Sequence, residues 1–258
     1  MRKRIGLLAV VLLCCFFAAA CSGSNQNQEQ AETELTVSAA ASLQNVLNEI
    51  KTDFENDHKN INLTFNFGGS GSLQQQISQG APADMFFSAA EDKFQILVEE
   101  GKIEDGIDLI GNDLVLIVSK DTASTVSSFE DLLTLETISI GTPETVPAGM
   151  YAKEALTNMG LWDKVNGNIV YAKDVRQVLT YVETGNVDAG IVYRTDGSVS
   201  EEVEIVASAP EGTHKDIIYP VGILKESDHQ EESKLFYDYL QSEQTMKIFN
   251  KYGFKGLN

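Results

Sequence analysis

Strand-like and helix-like runs alternate along most of the sequence, which predicts an α/β fold with parallel strands covered by helices. Two further observations divide that fold into two lobes. The alternation falls into two series, roughly 34–112 and 113–220, and the last helix-like stretch carries the chain back over one of them. The expected division is therefore 34–112 plus 221–258 for the first lobe and 113–220 for the second. Two such lobes joined by two crossovers would hold a ligand in the cleft between them.

The first series opens with a short strand over 35–41. Ser42 then reads as the N-cap of a helix running to about 58, with Leu43, Val46, Leu47, Ile50 and Phe54 on one face at helical spacing. Residues 60–67 alternate as a strand. The turn Gly68-Gly-Ser-Gly-Ser72 leads into a short helix over 73–79 that ends at Gly80, with Ser70 or Ser72 as its cap. Gly80-Ala-Pro-Ala-Asp84 breaks the pattern, 85–89 is a third strand, and 91–100 is a helix closed by Gly101.

The second series starts at Leu114-Val-Leu-Ile-Val118, an unbroken apolar run that predicts a strand buried on both faces. A loop over 121–128, a short helix over 129–133 and a strand over 137–140 follow. A helix over 150–159 stops at Gly160, and 169–171 is a strand. Asp174 caps a helix to about 184, and strands are expected at 190–193, 204–207 and 217–224. Residues 232–250 read as one closing helix with Leu235, Phe236, Tyr239, Leu240, Ile248 and Phe249 on its apolar side.

The formal net charge of −19 and the absence of any basic stripe exclude nucleic acid as a partner. Met1-Arg-Lys-Arg4 followed by an apolar run to Ala20 is a secretory signal, 1–20. Ala18-Ala-Ala-Cys21 resembles the lipobox of bacterial lipoproteins, with alanine at 18 where leucine is usual. That resemblance implies an acylated Cys21, for example carrying palmitate, and a protein held at the outer face of the cell membrane. Cys14 and Cys15 lie inside the signal, so the mature chain has one cysteine and no internal disulfide. Residues 21–33 read as the anchor and a polar, flexible tether.

Four segments place small or hydroxyl residues between a strand and a helix start: Ala39-Ala-Ala-Ser-Leu43, Gly68-Gly-Ser-Gly-Ser72, Pro147-Ala-Gly149 and Asp174-Val-Arg-Gln177. Helix N-termini carry unpaired N–H groups and the positive end of the helix dipole, so each is a ready anion site. Pro147 suits a first-turn position because its missing N–H costs nothing there. Asp174 is assigned to capping, which leaves the N–H of Val175 for a ligand. Tyr193 ends a strand at a carboxyl-terminal sheet edge, where α/β proteins bind ligands. Arg176 and Arg194, the two arginines left after signal cleavage, are expected to form surface ion pairs with acidic residues.

These segments, together with Gly80-Ala-Pro-Ala-Asp84, the run 146–156, Gly190-Ile-Val-Tyr193 and Tyr252-Gly-Phe254, resemble the molybdate-binding proteins of ABC importers over essentially the whole chain beyond the tether. The resemblance implies a two-lobed type II periplasmic-binding-protein fold and a monomer that delivers molybdate or tungstate to an ABC permease. It implies no cofactor, and molybdenum only as the bound oxyanion. Carried over by motif, the oxyanion ligands are Ser42, Ser70, Ala148, Val175 and Tyr193. The serines offer hydroxyl and N–H, Ala148 and Val175 their N–H, and Tyr193 its hydroxyl. The central turn is less serine-rich than in other members, and Ser72 stands beside Ser70 as a further candidate. A sulfate- or phosphate-binding protein of the same fold is the alternative. A serine hydrolase is disfavoured, because Gly68-Gly-Ser-Gly-Ser72 lacks the last glycine of Gly-x-Ser-x-Gly and no histidine stands in a triad context. Glu144 reads as a loop carboxylate rather than a general base.

Overall fold

The computed structural model describes residues 32–120 and 122–257. The signal, Cys21 and most of the tether lie outside these. Among the described residues no helix is long and apolar enough to cross a membrane.

Eleven strands are described, in two sheets. The first sheet has the order β11-β4-β10-β3-β1-β2, built from β1 (Thr33–Ala40), β2 (Ile61–Gly68), β3 (Met85–Phe87), β4 (Ile103–Asn112), β10 (Ile217–Leu224) and β11 (Lys255–Gly256). The second has the order β7-β6-β8-β5-β9, built from β5 (Leu114–Ser119), β6 (Ile138–Gly141), β7 (Ile169–Ala172), β8 (Ala189–Tyr193) and β9 (Val203–Ser208). Each has a parallel group made by βα units: β1 runs parallel to β2 and β3, and β6 parallel to β7 and β8. The sheets are mixed, however, not wholly parallel. β10 runs antiparallel to β3 and β4, and β5 antiparallel to β8 and β9. β5 and β10 are the strands that follow the two crossovers, where the chain leaves one sheet and enters the other; β11 also runs antiparallel, to β4. The first crossover is the single residue Asp113; the second spans 209–216.

Two expectations change at this level. The two-series division ends the second lobe at Pro220, yet β10 pairs through Ile217 with Asn112 and so belongs to the first sheet from its first residue. The closing helix is two helices, Gln230–Leu240 and Glu243–Lys251, broken where the Ser242 side chain accepts the Thr245 N–H and starts the second. Leu235 sits outside the apolar seam, 46% exposed. The seam itself is aromatic. Phe54 meets Phe236 edge-on at 4.9 Å, and Phe249 meets Phe87 at 6.2 Å, which docks both helices on the first sheet's layer. Leu114 to Val118 are buried throughout, as an unbroken apolar strand must be.

Candidate functional site

Each of the six strands of the parallel groups ends at, or within a few residues of, a residue that lines one cavity. β1 runs into the 3-10 turn Ala41–Leu43, with Ala40 at its cap position. Ser42 is therefore not the N-cap of the following helix, α1 (Gln44–Asp57), whose cap position is Leu43; it sits one residue earlier, inside the turn. β2 runs into α2 (Ser70–Ser78), capped by Gly69, so Ser70 is the first helical residue rather than the cap. α4 (Pro147–Asn158) has its proline at the first position. α6 (Val175–Glu183) is capped by Asp174, whose carboxylate accepts the Gln177 N–H at 2.8 Å, as read from the sequence. In chain order the remaining helices of the lobes are α3 (Glu91–Glu99), α5 (Trp162–Val165) and α7 (Arg194–Ser198).

Ser42, Ser70, Ala148, Val175 and Tyr193 all line one small, tight cavity, with free room of about 10 Å³. Ser72 does not line it. No charged side chain is among its lining residues. Ala148 and Val175 are the second and first residues of their helices, so neither N–H has an acceptor within its own helix. Ser70 is fully buried, and its oxygen accepts the Ala89 N–H at 3.0 Å, which leaves its own proton free to donate. The Tyr193 hydroxyl donates to the Ala89 carbonyl at 3.5 Å, a contact at the outer limit of a hydrogen bond. Burial holds that phenol neutral by pushing its pKa well above the usual range.

Close backbone approach sets the cavity's dimensions. A Cβ on Gly149 would lie 1.8 Å from the Gly141 carbonyl oxygen, so the start of α4 rests directly on the end of β6. Across the seam, the Gly71 N–H donates to the Thr145 carbonyl at 2.9 Å, and a Cβ on Gly71 would lie 2.8 Å from the Thr145 Cα. The two lobes thus meet backbone to backbone beside the cavity.

The arginines differ from each other. Arg194 pairs with Asp113 at 3.4 Å, both partly exposed, as expected. Arg176 does not form a surface pair: its partner, 3.5 Å away, is Asp196, whose side chain is fully buried on α7 just beyond Tyr193. Burial raises the Asp196 pKa to about 7 against the lowering effect of Arg176. Arg176 also reaches Asn45 in the other lobe, at 3.5 Å. Glu144 lines a separate acidic groove with Glu91, Asp92, Glu154 and Asp216.

Sequence reasoning missed the groups behind the cavity. Tyr219 is fully buried on β10, with its hydroxyl 3.0 Å from Ser42 Oγ and 3.3 Å from Asn112 Nδ2. Nothing local marks Tyr219. It is 177 positions from Ser42, and only the long-range pairing of β10 brings the two together.

The family model described as bacterial extracellular solute-binding protein matches residues 35–255. A Bacillus subtilis protein named "Putative ABC transporter substrate-binding lipoprotein YvgL" is 54% identical, the match covering 98% of this chain and 99% of that one. The molybdate-binding protein ModA of Escherichia coli is 39% identical over 86% of this chain and 89% of its own length. Among solved structures, the "substrate binding domain of putative molybdenum ABC transporter from Clostridium difficile" is 43% identical, with a TM-score of 0.67, over 88% of this chain and all of that one.

Proposed function

Since the chain belongs to the bacterial extracellular solute-binding proteins, with the two-lobed type II periplasmic-binding-protein fold, we propose that its solute is the oxyanion molybdate or tungstate. It is an extracytoplasmic solute-binding component of an ABC transporter, not an enzyme. The observation that carries the ligand assignment is the cavity itself: donors from four helix or turn starts and two lobes converge on a space with no charged lining.

In this reading Ser42 and Ser70 donate through their hydroxyls, Ala148 and Val175 through their N–H groups, and Tyr193 through its phenol. Tyr193 gives up a 3.5 Å contact to the Ala89 carbonyl when it turns to the ligand. Charge-assisted hydrogen bonds and helix dipoles in a dry cavity stabilise the anion without a counter-charge. Closure of the lobes brings the two sets of donors together. Acylated Cys21 holds the protein, as a monomer, at the outer face of the cell membrane, where it hands its ligand to the permease.

The donor-only wall sets the selectivity. Molybdate and tungstate are fully deprotonated at neutral pH, so each oxygen accepts. Phosphate carries a proton that would face another donor and leave buried groups unsatisfied, at a cost of about 1–3 kcal/mol. Sulfate has the right charge but is smaller, and rigid helix ends spaced for longer metal–oxygen bonds hold it loosely. Competition calorimetry at neutral pH should rank molybdate and tungstate together, sulfate well below and phosphate last. Sulfate binding as tightly as molybdate would overturn the assignment.

A further inference from the structure

The Ser42 hydroxyl has one proton and two lone pairs, and the buried groups behind it set which way that proton turns. Asn112 Oδ1 accepts the Asp113 N–H at 2.9 Å, which orients the amide with its NH2 inward. The two amide protons then point at Thr195 Oγ1, 2.9 Å away, and at the Tyr219 oxygen, 3.3 Å away. Ser42, Asn112, Thr195 and Tyr219 are all buried. Burial also pushes the Tyr219 pKa far above the usual phenol range, so its proton stays on at working pH. The Tyr219 oxygen has two hydroxyl neighbours, Ser42 Oγ at 3.0 Å and the Tyr193 phenol; accepting from the amide, it turns its single proton to Ser42 Oγ.

We infer that Tyr219, set by Asn112, is the positioning residue that makes Ser42 a one-way donor and so a determinant of selectivity against protonated anions. The relay runs from the Asn112 amide to the Tyr219 hydroxyl, then to the Ser42 hydroxyl, then into the cavity. It rests on the oxyanion reading of that cavity. Without Tyr219 the serine is free to rotate and to accept a proton from a ligand oxygen as readily as to donate one.

The test is a double-mutant cycle on the full-length protein, with Ser42→Ala, Tyr219→Phe and both together, read by calorimetry with molybdate, sulfate and phosphate. Tyr219→Phe should weaken molybdate binding about tenfold and narrow the gap between molybdate and phosphate. In the Ser42→Ala background the same change should cost much less, the remainder being what Tyr219 contributes through its contact with Tyr193. Losses that add would overturn the relay, since general packing behaves that way. Thermal melting of each unliganded variant reports folding. Should Tyr219→Phe fail to fold, Asn112→Ala removes the group that sets the phenol, and the same dependence on Ser42 is expected. Wild type that binds neither molybdate nor sulfate overturns the oxyanion reading and the relay together; wild type that binds, with additive losses, overturns the relay alone.

Discussion

Replacing Gly71 with alanine should weaken ligand binding while leaving the unliganded protein at least as stable. The added Cβ would stand 2.8 Å from the Thr145 Cα and 2.9 Å from its carbonyl oxygen, in the other lobe. Ordinary contact begins at 3.4 Å, so the seam must widen by about 0.6 Å at this point. That stretches the hydrogen bond from Gly71 to Thr145, now 2.9 Å, and draws Ala148, three residues beyond Thr145, away from the first lobe's donors. A charged hydrogen bond is worth ~1.5–3 kcal/mol. Losing most of one, with the interlobe bond weakened, comes to ~2 kcal/mol, or about thirtyfold in affinity. The free protein has an easy response, since opening the lobes removes the clash, and alanine suits a helix better than glycine by ~0.5–1 kcal/mol. Calorimetry with molybdate and thermal melting without it separate the two effects. Wild-type affinity in the variant would refute the interlobe reasoning. A fall of several degrees in the unliganded midpoint would mean the lobes cannot separate here.

Three further outcomes are expected. Ser42→Ala and Ser70→Ala should each cost ~1.5–3 kcal/mol of molybdate binding by calorimetry, and unchanged affinity in both would refute their placement as ligands. Asp196 is more basic folded than unfolded, so its contribution to stability is fully present below its ordinary range, near pH 3.8, and is lost as pH rises through about 7. Asp196→Asn should therefore gain stability relative to wild type in melts at pH 8 and lose that gain at pH 4; a pH-independent difference would show the carboxylate does not titrate in this way. Cys21→Ala should move the protein from the membrane fraction to the soluble one, and retention on salt-washed membranes would exclude lipid anchoring.

Much of the cavity was legible because helix starts have strong local signals. Pro147 at the first position and Asp174 at the cap announce their helices, and glycines mark where backbones approach. The serines were found but misplaced by one step: each was read as a possible cap, whereas Ser42 sits in a 3-10 turn and Ser70 inside its helix. β4 was not foreseen. Ile103–Asn112 mixes acidic residues and glycines, and it is a strand because β10 and β11 pair with it, through two register shifts in the case of β10. The break between the last two helices did carry a signal, Ser242 followed by Glu243, which the long apolar spacing overrode. Tyr219, Asn112 and the buried Asp196 had no signal at all, because their partners are set by sheet order and crossover, not by neighbours in sequence.

The uncharged lining of the cavity has a kinetic consequence. On the proposed reading, a molybdate ion approaching a chain of formal net charge −19 meets repulsion at distances where the short-range donors cannot yet act. Added salt shortens the reach of that repulsion, to about 8 Å at physiological strength, while the hydrogen bonds inside the closed cavity are barely screened. Capture should therefore speed up with ionic strength and release should hardly change. This reverses the salt effect of proteins that draw anions in with basic residues.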